Sequence, residues 1–372
     1  MSLKRQSIRL ADGRQGNDPA RLETMTPEPQ RRLLCAPHAT SLLTLPIRGQ
    51  LRRLPMPINI PDGLPAADVL KRENIFYLTS SEAIQQDIRP LDILLLNLMP
   101  KKIETEIHLL RMLSNTPLQV NIELMRIDAR PSRNTPIEHM DAFYKDFASI
   151  ADNKYDGMII TGAPLGQVDF EDVIFWSEMK KIMEWSVTNV SSTLFLCWAV
   201  QAAMHHLYGV SKHVLDRKIS GVYPHRLVTP LAPIVRGFDD VFDAPHSRYG
   251  EVRTNEIREV PELEVIAESE VAGPYIVGHR DGSQLFVTGH SEYEPGCLKD
   301  EYDRDVAAGT NPALPENYFP EDDPTAAPIV TWKSHGNLLF SNWLNYYIYQ
   351  RTPFDKALIG TTVQRTIAAL AR

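Results

Sequence analysis

The sequence predicts an α/β fold: a doubly wound, mostly parallel sheet with flanking helices, plus short antiparallel strands in the C-terminal half. Three observations carry this. Apolar strand-like runs alternate with amphipathic helical stretches from Leu91 to Gly209. The strand runs, such as Ile93-Leu94-Leu95-Leu96, are apolar without interruption, which suits strands covered on both faces. Beyond Gly209 the elements shorten, and Leu263 to Ile266, Tyr275 to Gly278 and Gln284 to Val287 read as short strands with turns between them.

In order, Ile58 to Ala67 is rich in Pro and Asp and is expected to wrap over a sheet edge. Leu91 to Met99 reads as a central strand, ending in the turn Asn97-Leu98-Met99-Pro100-Lys101-Lys102. Ile103, Ile107 and Leu110 make the stripe of the next helix. Leu118, Val120, Ile122 and Leu124 alternate, so one face of that strand is buried. A loop from Arg130 to Pro136 precedes a short helix through Phe143 and Phe147. Gly157 to Ile160 is a third strand, closed by Thr161-Gly162-Ala163-Pro164-Leu165-Gly166, and Phe175, Met179, Ile182 and Met183 mark a helix.

Thr193 to Leu196 is the next buried strand, and Val200, Ala203, Met204 and Leu207 recur at helical spacing up to the stop at Gly209. Phe242 to Tyr249 reads as a polar-aromatic loop. A segment with prolines at 312, 315, 320, 324 and 328 reads either as a lid or wrap or as a solvated loop. Phe340, Trp343, Leu344 and Tyr347 form a last amphipathic helix, stopped at Thr352-Pro353. No internal repeat is visible.

Hydrophobic content of 43% and charged content of 23% are those of a globular protein. The net charge of −8 gives no reason to expect nucleic acid. No apolar run approaches the length that spans a membrane, so no membrane partner is expected. Three cysteines without CxxC spacing, Cys35, Cys197 and Cys297, argue against disulfides and a zinc site and fit a reducing, cytoplasmic compartment. No metal is expected. The phosphate-cradling GxxxxGK[ST], the HExxH zinc motif and a GxGxxG after a strand are absent.

The first 55 residues carry 10 Lys and Arg against 4 Asp and Glu, a charge of +6, and leave −14 for the rest. Arg31-Arg32-Leu33-Leu34-Cys35 is faintly signal-like, but the stretch after it is too polar for a signal core. The expected organisation is a disordered extension or upstream mis-start over 1–55, a catalytic domain over 56–355 and a tail over 356–372.

The chemistry centres on Cys197. It sits where a buried strand turns into a helix, the geometry of a nucleophile elbow. The positive end of the helix dipole there stabilises a thiolate. The competing reading is an inert core thiol. His290 and Glu292 lie two residues apart after an apolar strand, so on extended backbone they share a side. A carboxylate that orients an imidazole, which in turn faces a nucleophile, is the logic of a triad. His205, His206 and His246 read as structural.

At these residues the chain resembles the class I glutamine amidotransferase superfamily. That group carries G-x-C-x-G-x-Q at the elbow, whereas here Phe195 and Ala199 replace the glycines and Gln201 is kept. The resemblance is closer to the homoserine O-succinyltransferase family. Met56-Pro57-Ile58, Asn97 to Lys102, Thr161-Gly162-Ala163-Pro164, Phe195 to Gln201, Ala244 to Tyr249, Gly289 to Tyr293 and Ser334 to Phe340 carry it, across about residues 56–353.

The resemblance implies transfer of an acyl group from acyl-CoA to the hydroxyl of L-homoserine, an early step toward methionine, in a homodimer. Cys197, His290 and Glu292 would be catalytic. Lys218, Ser247 and Arg304 match substrate-binding positions. Oxyanion donors would be the Trp198 N–H and the turn at Lys101 and Lys102. Gly166 matches the position where Glu accompanies acetyl-CoA and Gly accompanies succinyl-CoA. Succinyl-CoA is therefore the expected donor, a substrate rather than a cofactor, and no cofactor is expected. The alternatives are acetyl transfer, a glutamine amidotransferase-like hydrolase or Cys peptidase, and a binding protein that keeps the fold.

Overall fold

The structure, a computed structural model, describes residues 58–361 apart from 74, 76, 84–88 and 128–133. The basic extension over 1–55 therefore lies outside the described residues. The strands are β1 (Ile58–Ile60), β2 (Tyr77–Thr79), β3 (Leu91–Leu96), β4 (Val120–Arg126), β5 (Tyr144–Asp146), β6 (Tyr155–Ile160), β7 (Val190–Leu196), β8 (His213–Leu227), β9 (Val241–Glu251), β10 (Leu263–Ser269), β11 (Gly273–His279) and β12 (Gln284–Val287). They form one sheet in the order β2-β1-β4-β3-β6-β7-β12-β11-β10-β8-β9, with β5 attached to β4. Pairings from β2 through β12 are parallel, and those from β12 through β9 are antiparallel.

The parallel half reads as the uninterrupted apolar runs require. Successive side chains of a strand point to opposite faces. Ile93 and Leu95 feed one core, with helices Lys102–Leu113 and Lys333–Asn342 packed over it. Leu94 and Leu96 feed the other, covered by helices Trp176–Asn189 and Trp198–Tyr208. The last stripe, Phe340, Trp343, Leu344 and Tyr347, is buried, but the α-helix widens to a π-helix over Trp343–Tyr349.

One expectation is corrected and one open reading is decided. Phe242 to Tyr249 is not a loop but most of β9, paired with the long β8. Its inward positions hold Phe242, Ala244, His246 and Arg248, so two polar side chains stand where an apolar alternation would signal a strand. The proline-rich segment is a pinned wrap. Its Glu316 exchanges backbone hydrogen bonds with Ser220 (2.9 Å) and Val222 (2.8 Å) of β8. Tyr318 and Phe319 are buried with Trp332 and Tyr293 in a third apolar cluster.

Candidate active site

The site forms where β7 and β12 end side by side. Their parallel register sets Leu196 opposite Val287. Cys197 and the Gly289-to-Tyr293 segment therefore leave the sheet at one point, although far apart in sequence. The Cys197 N–H donates to the Val287 carbonyl at 2.8 Å. Cys197 has φ 51° and ψ −111°, an elbow conformation that costs a non-glycine residue about 1–3 kcal/mol. The surrounding packing holds it: the thiol residue is buried, and Val200 N–H closes the first helical turn onto the Cys197 carbonyl at 3.0 Å.

His290 is fixed from three sides. Its backbone N–H donates to Pro245 O at 2.8 Å, its ring stacks on Tyr293 at 4.2 Å between centroids, and its Nδ1 lies 2.7 Å from Glu292 Oε1. Burial pulls the imidazolium down, but the Cys197 sulfur and the Glu292 carboxylate outweigh it and hold His290 well above its ordinary 6.5. The loop itself is clamped by the helix that follows the wrap. Trp332 Nε1 donates to Tyr293 O at 2.9 Å. A Cβ at Gly336 would lie only 2.7 Å from Ser291 O, so the helix packs on the backbone between His290 and Glu292.

Lys218 and Ser247 are brought together by a residue that sequence reasoning missed, Glu301. Lys218 Nζ donates to Glu301 Oε2 at 2.9 Å, Ser247 Oγ donates to the same oxygen, and Tyr293 OH donates to Oε1 at 3.0 Å. Burial pushes the Glu301 carboxyl up, yet Lys218 and Ser247 bring it below the usual range. Glu301 and Arg304 share helix Cys297–Ala307 at i, i+3 spacing, the signal that could have found Glu301. Arg304 is not in this cluster. Its guanidinium is largely exposed and bonds Asp305 at 2.7 and 2.9 Å, and Asp305 in turn lies 3.7 Å from Lys218.

A second missed residue is Arg248. It is buried, its Nη atoms donate to the carbonyls of Gly250 and Ala272, and its Nε has no acceptor. It forms no ion pair among the described residues, so burial lowers its affinity for the proton, while the Cys197 sulfur favours its charge. Gly166 lies against the same strand: a Cβ there would stand 3.2 Å from Gly250 N and 3.5 Å from Tyr249 Cβ.

The two expected oxyanion sources differ. The Trp198 N–H is one of the first-turn donors that have no acceptor within the helix. Lys101 is exposed and pairs with Glu104 at 3.0 Å, whereas Lys102 folds back, with Nζ on the carbonyls of Asn97 and Met99. The remaining histidines have local roles. His246 contacts His225 at 3.0 Å, and burial keeps both neutral. His205 stacks on Phe170, and His206 meets Glu184 at 2.8 Å. Among the described residues no His, Cys, Asp and Glu group could hold a metal ion, and no helix is long and apolar enough to cross a membrane.

The sequence matches the family described as homoserine O-succinyltransferase over residues 57–354. It is 60% identical to the homoserine O-succinyltransferase of Tolumonas auensis over 300 residues, covering 81% of this chain and 95% of that one. It is also 56% identical to a homoserine O-acetyltransferase of Acetivibrio thermocellus over 300 residues, covering 81% of this chain and 98% of that one. Among solved structures, a glutamine amidotransferase from Thermotoga maritima matches with a TM-score of 0.46 at 12% identity, covering 69% of this chain and 98% of that one.

Proposed function

The chain belongs to the homoserine O-succinyltransferase family, and we propose that it moves the succinyl group of succinyl-CoA to the hydroxyl of L-homoserine through a thioester on Cys197. The observation that carries this reading is the strained Cys197 elbow beside the His290–Glu292 pair. The Cys197 thiolate attacks the thioester carbonyl while His290 is protonated. The Trp198 N–H, with Lys102 as a second donor once it leaves the turn carbonyls, stabilises the oxyanion. CoA departs as the thiol, taking the His290 proton. Neutral His290 then accepts the homoserine hydroxyl proton as that oxygen attacks the Cys197 thioester, and the Cys197 thiolate leaves. Glu292 holds the tautomer and stabilises the imidazolium in both halves. The kinetics are ping-pong.

Homoserine lies on the Glu301 flank in this scheme. The Glu301 carboxylate suits its ammonium, while Lys218 and Arg304 suit its carboxylate and Ser247 offers a hydroxyl. Gly166 favours succinyl over acetyl. A glutamate there would press on the Tyr249–Gly250 backbone and set a negative charge against the succinyl carboxylate. The reading also places the enzyme in the cytoplasm, as a homodimer, at an early step toward methionine.

Intact-mass spectrometry after mixing with succinyl-CoA tests the scheme. We expect a succinyl adduct that disappears on adding homoserine and is missing in Cys197→Ala. Turnover of the wild-type protein with no adduct at any time would sink the covalent route.

A further inference from the structure

A cavity of about 370 Å³ opens at the carboxyl ends of β3, β4 and β6, apart from the Glu301 cluster. It is within the range of about 300–1,000 Å³ usual for small-molecule sites, and too small for a whole CoA molecule. Leu98 and Lys102 come to it from the turn after β3, Leu165 and Val168 from the loop after β6, and Ile174 and Phe175 from the start of the next helix. Ile174 stands on its rim with 71% of its surface exposed, a large aliphatic group left in water beside an apolar opening.

The lining approaches the reaction centre at two points. Leu165 is the neighbour of Gly166, and Phe175 stands edge-on to Trp198, the residue after the nucleophile, at 6.2 Å between ring centroids. Lys102, on its wall, is the second oxyanion donor of the proposed scheme. We propose that this cavity holds the pantetheine arm of the acyl donor, so that the thioester reaches Cys197 from one flank and homoserine reaches it from the other. The inference rests on the proposed acyl transfer.

Two observations select the arm over the rest of the donor. The walls are mostly aliphatic and aromatic, which suits the dimethyl and methylene groups of pantetheine. Among the described residues, the guanidinium on the wall, Arg126, is already engaged by Asp141 (3.1 Å) and Asp146 (2.7 Å), and the wall also carries Asp172, so it suits a neutral arm better than phosphates. Homoserine, small and zwitterionic, finds its complementary charges at Lys218 and Glu301 instead.

The experiment compares three donors: succinyl-CoA, succinyl-pantetheine, which lacks the nucleotide, and succinyl-N-acetylcysteamine, which lacks most of the arm. Wild-type protein is expected to use the first two with similar kcat/KM and the third at least tenfold less well. Val168→Trp, which fills the cavity, and Ile174→Glu, which charges its rim, should each raise KM for the first two donors about tenfold or more. Neither should move KM for homoserine or the rate with succinyl-N-acetylcysteamine. Ile174 is exposed, so its variant keeps the test open if the tryptophan unfolds the protein. Succinyl-pantetheine as poor as the shortest donor, or unchanged succinyl-CoA KM in the folded variants, would overturn the assignment. So would a rise in KM for homoserine and the truncated donor alike. Absence of transfer by wild-type protein from every donor would instead overturn the acyl-transfer reading on which the assignment stands.

Discussion

Gly336→Ala sets two effects of opposite sign against each other. Gly336 lies inside helix Lys333–Asn342, where alanine is intrinsically better than glycine by about 0.8–1.0 kcal/mol. The added methyl, however, would lie 2.7 Å from Ser291 O, 3.2 Å from Ser291 Cβ and 3.4 Å from Ser291 C. Relief to ordinary contact needs a shift of roughly 0.5 Å or more, since unstrained carbon contacts fall near about 3.5–4.0 Å. Neither side yields easily. The helix is tied through Gly336 N–H to Trp332 O (2.9 Å), and Trp332 is tied to Tyr293 O (2.9 Å). The clash should therefore win, at about 1–3 kcal/mol against the propensity gain. A net loss of up to about 2 kcal/mol lowers the melting temperature by about 1–2 °C per kcal/mol in a protein of this size. Because Ser291 separates His290 from Glu292, the same shift misplaces the base, and a misplacement approaching 1 Å costs up to about 100-fold in rate. Calorimetry and the rate of Cys197 acylation check both. A variant that melts higher and acylates at the wild-type rate, as propensity alone demands, would refute the packing argument.

Other outcomes follow from the same geometry. Glu292→Gln should slow acylation by about 10²–10⁴-fold, the range for losing a group that supports acid–base catalysis. It should also change the pH dependence of stability. His290 is held above 6.5, so its contribution is fully present below that value and lost as pH rises through the folded one. The urea midpoint should thus fall as pH rises above about 6.5 in the wild type and stay flatter in the variant, and equal slopes would count against the pairing. Glu301→Gln removes a charge-assisted partner worth about 1.5–3 kcal/mol. It should raise KM for homoserine about 10- to 100-fold and leave KM for succinyl-CoA alone, as steady-state kinetics would show. Gly166→Glu sets two like charges near one another, about 3 kcal/mol at roughly 5 Å and an effective dielectric of about 20. Succinyl-CoA kcat/KM should drop about 100-fold while acetyl-CoA use rises, and an unmoved preference would remove Gly166 from the account of donor choice.

The parallel half of the sheet was legible because each strand carries its own signal. Ile93-Leu94-Leu95-Leu96 is apolar on both faces since both faces are covered, and no distant residue is needed to read it. In the antiparallel half, β10 and β11 were legible as short strands, but β8 and β9 were not, because they bury polar groups. His246 and Arg248 break the alternation that would have announced β9. The same divide runs through the functional residues. Cys197, His290 and Glu292 sit in short motifs with local geometry. Glu301 gathers Lys218, Ser247 and Tyr293 from β8, β9 and the loop after β12, a meeting that exists only once the sheet is ordered.

In the proposed scheme, that order also lets two substrates reach one sulfur. β12 is the last strand to pair in parallel, and the strand beyond it runs the other way. On the parallel side of Cys197, helix-forming turns leave the sheet and frame a cavity with apolar walls. On the other side, β8 and β9 run back beneath helix Cys297–Ala307 and enclose charges. His290 stands at the seam, stacked on Tyr293, whose hydroxyl reaches Glu301. A base at that position can serve the thiolate in the first half-reaction and the hydroxyl in the second without moving. In that scheme the change of strand direction separates the two approach paths, and the shared imidazole joins them.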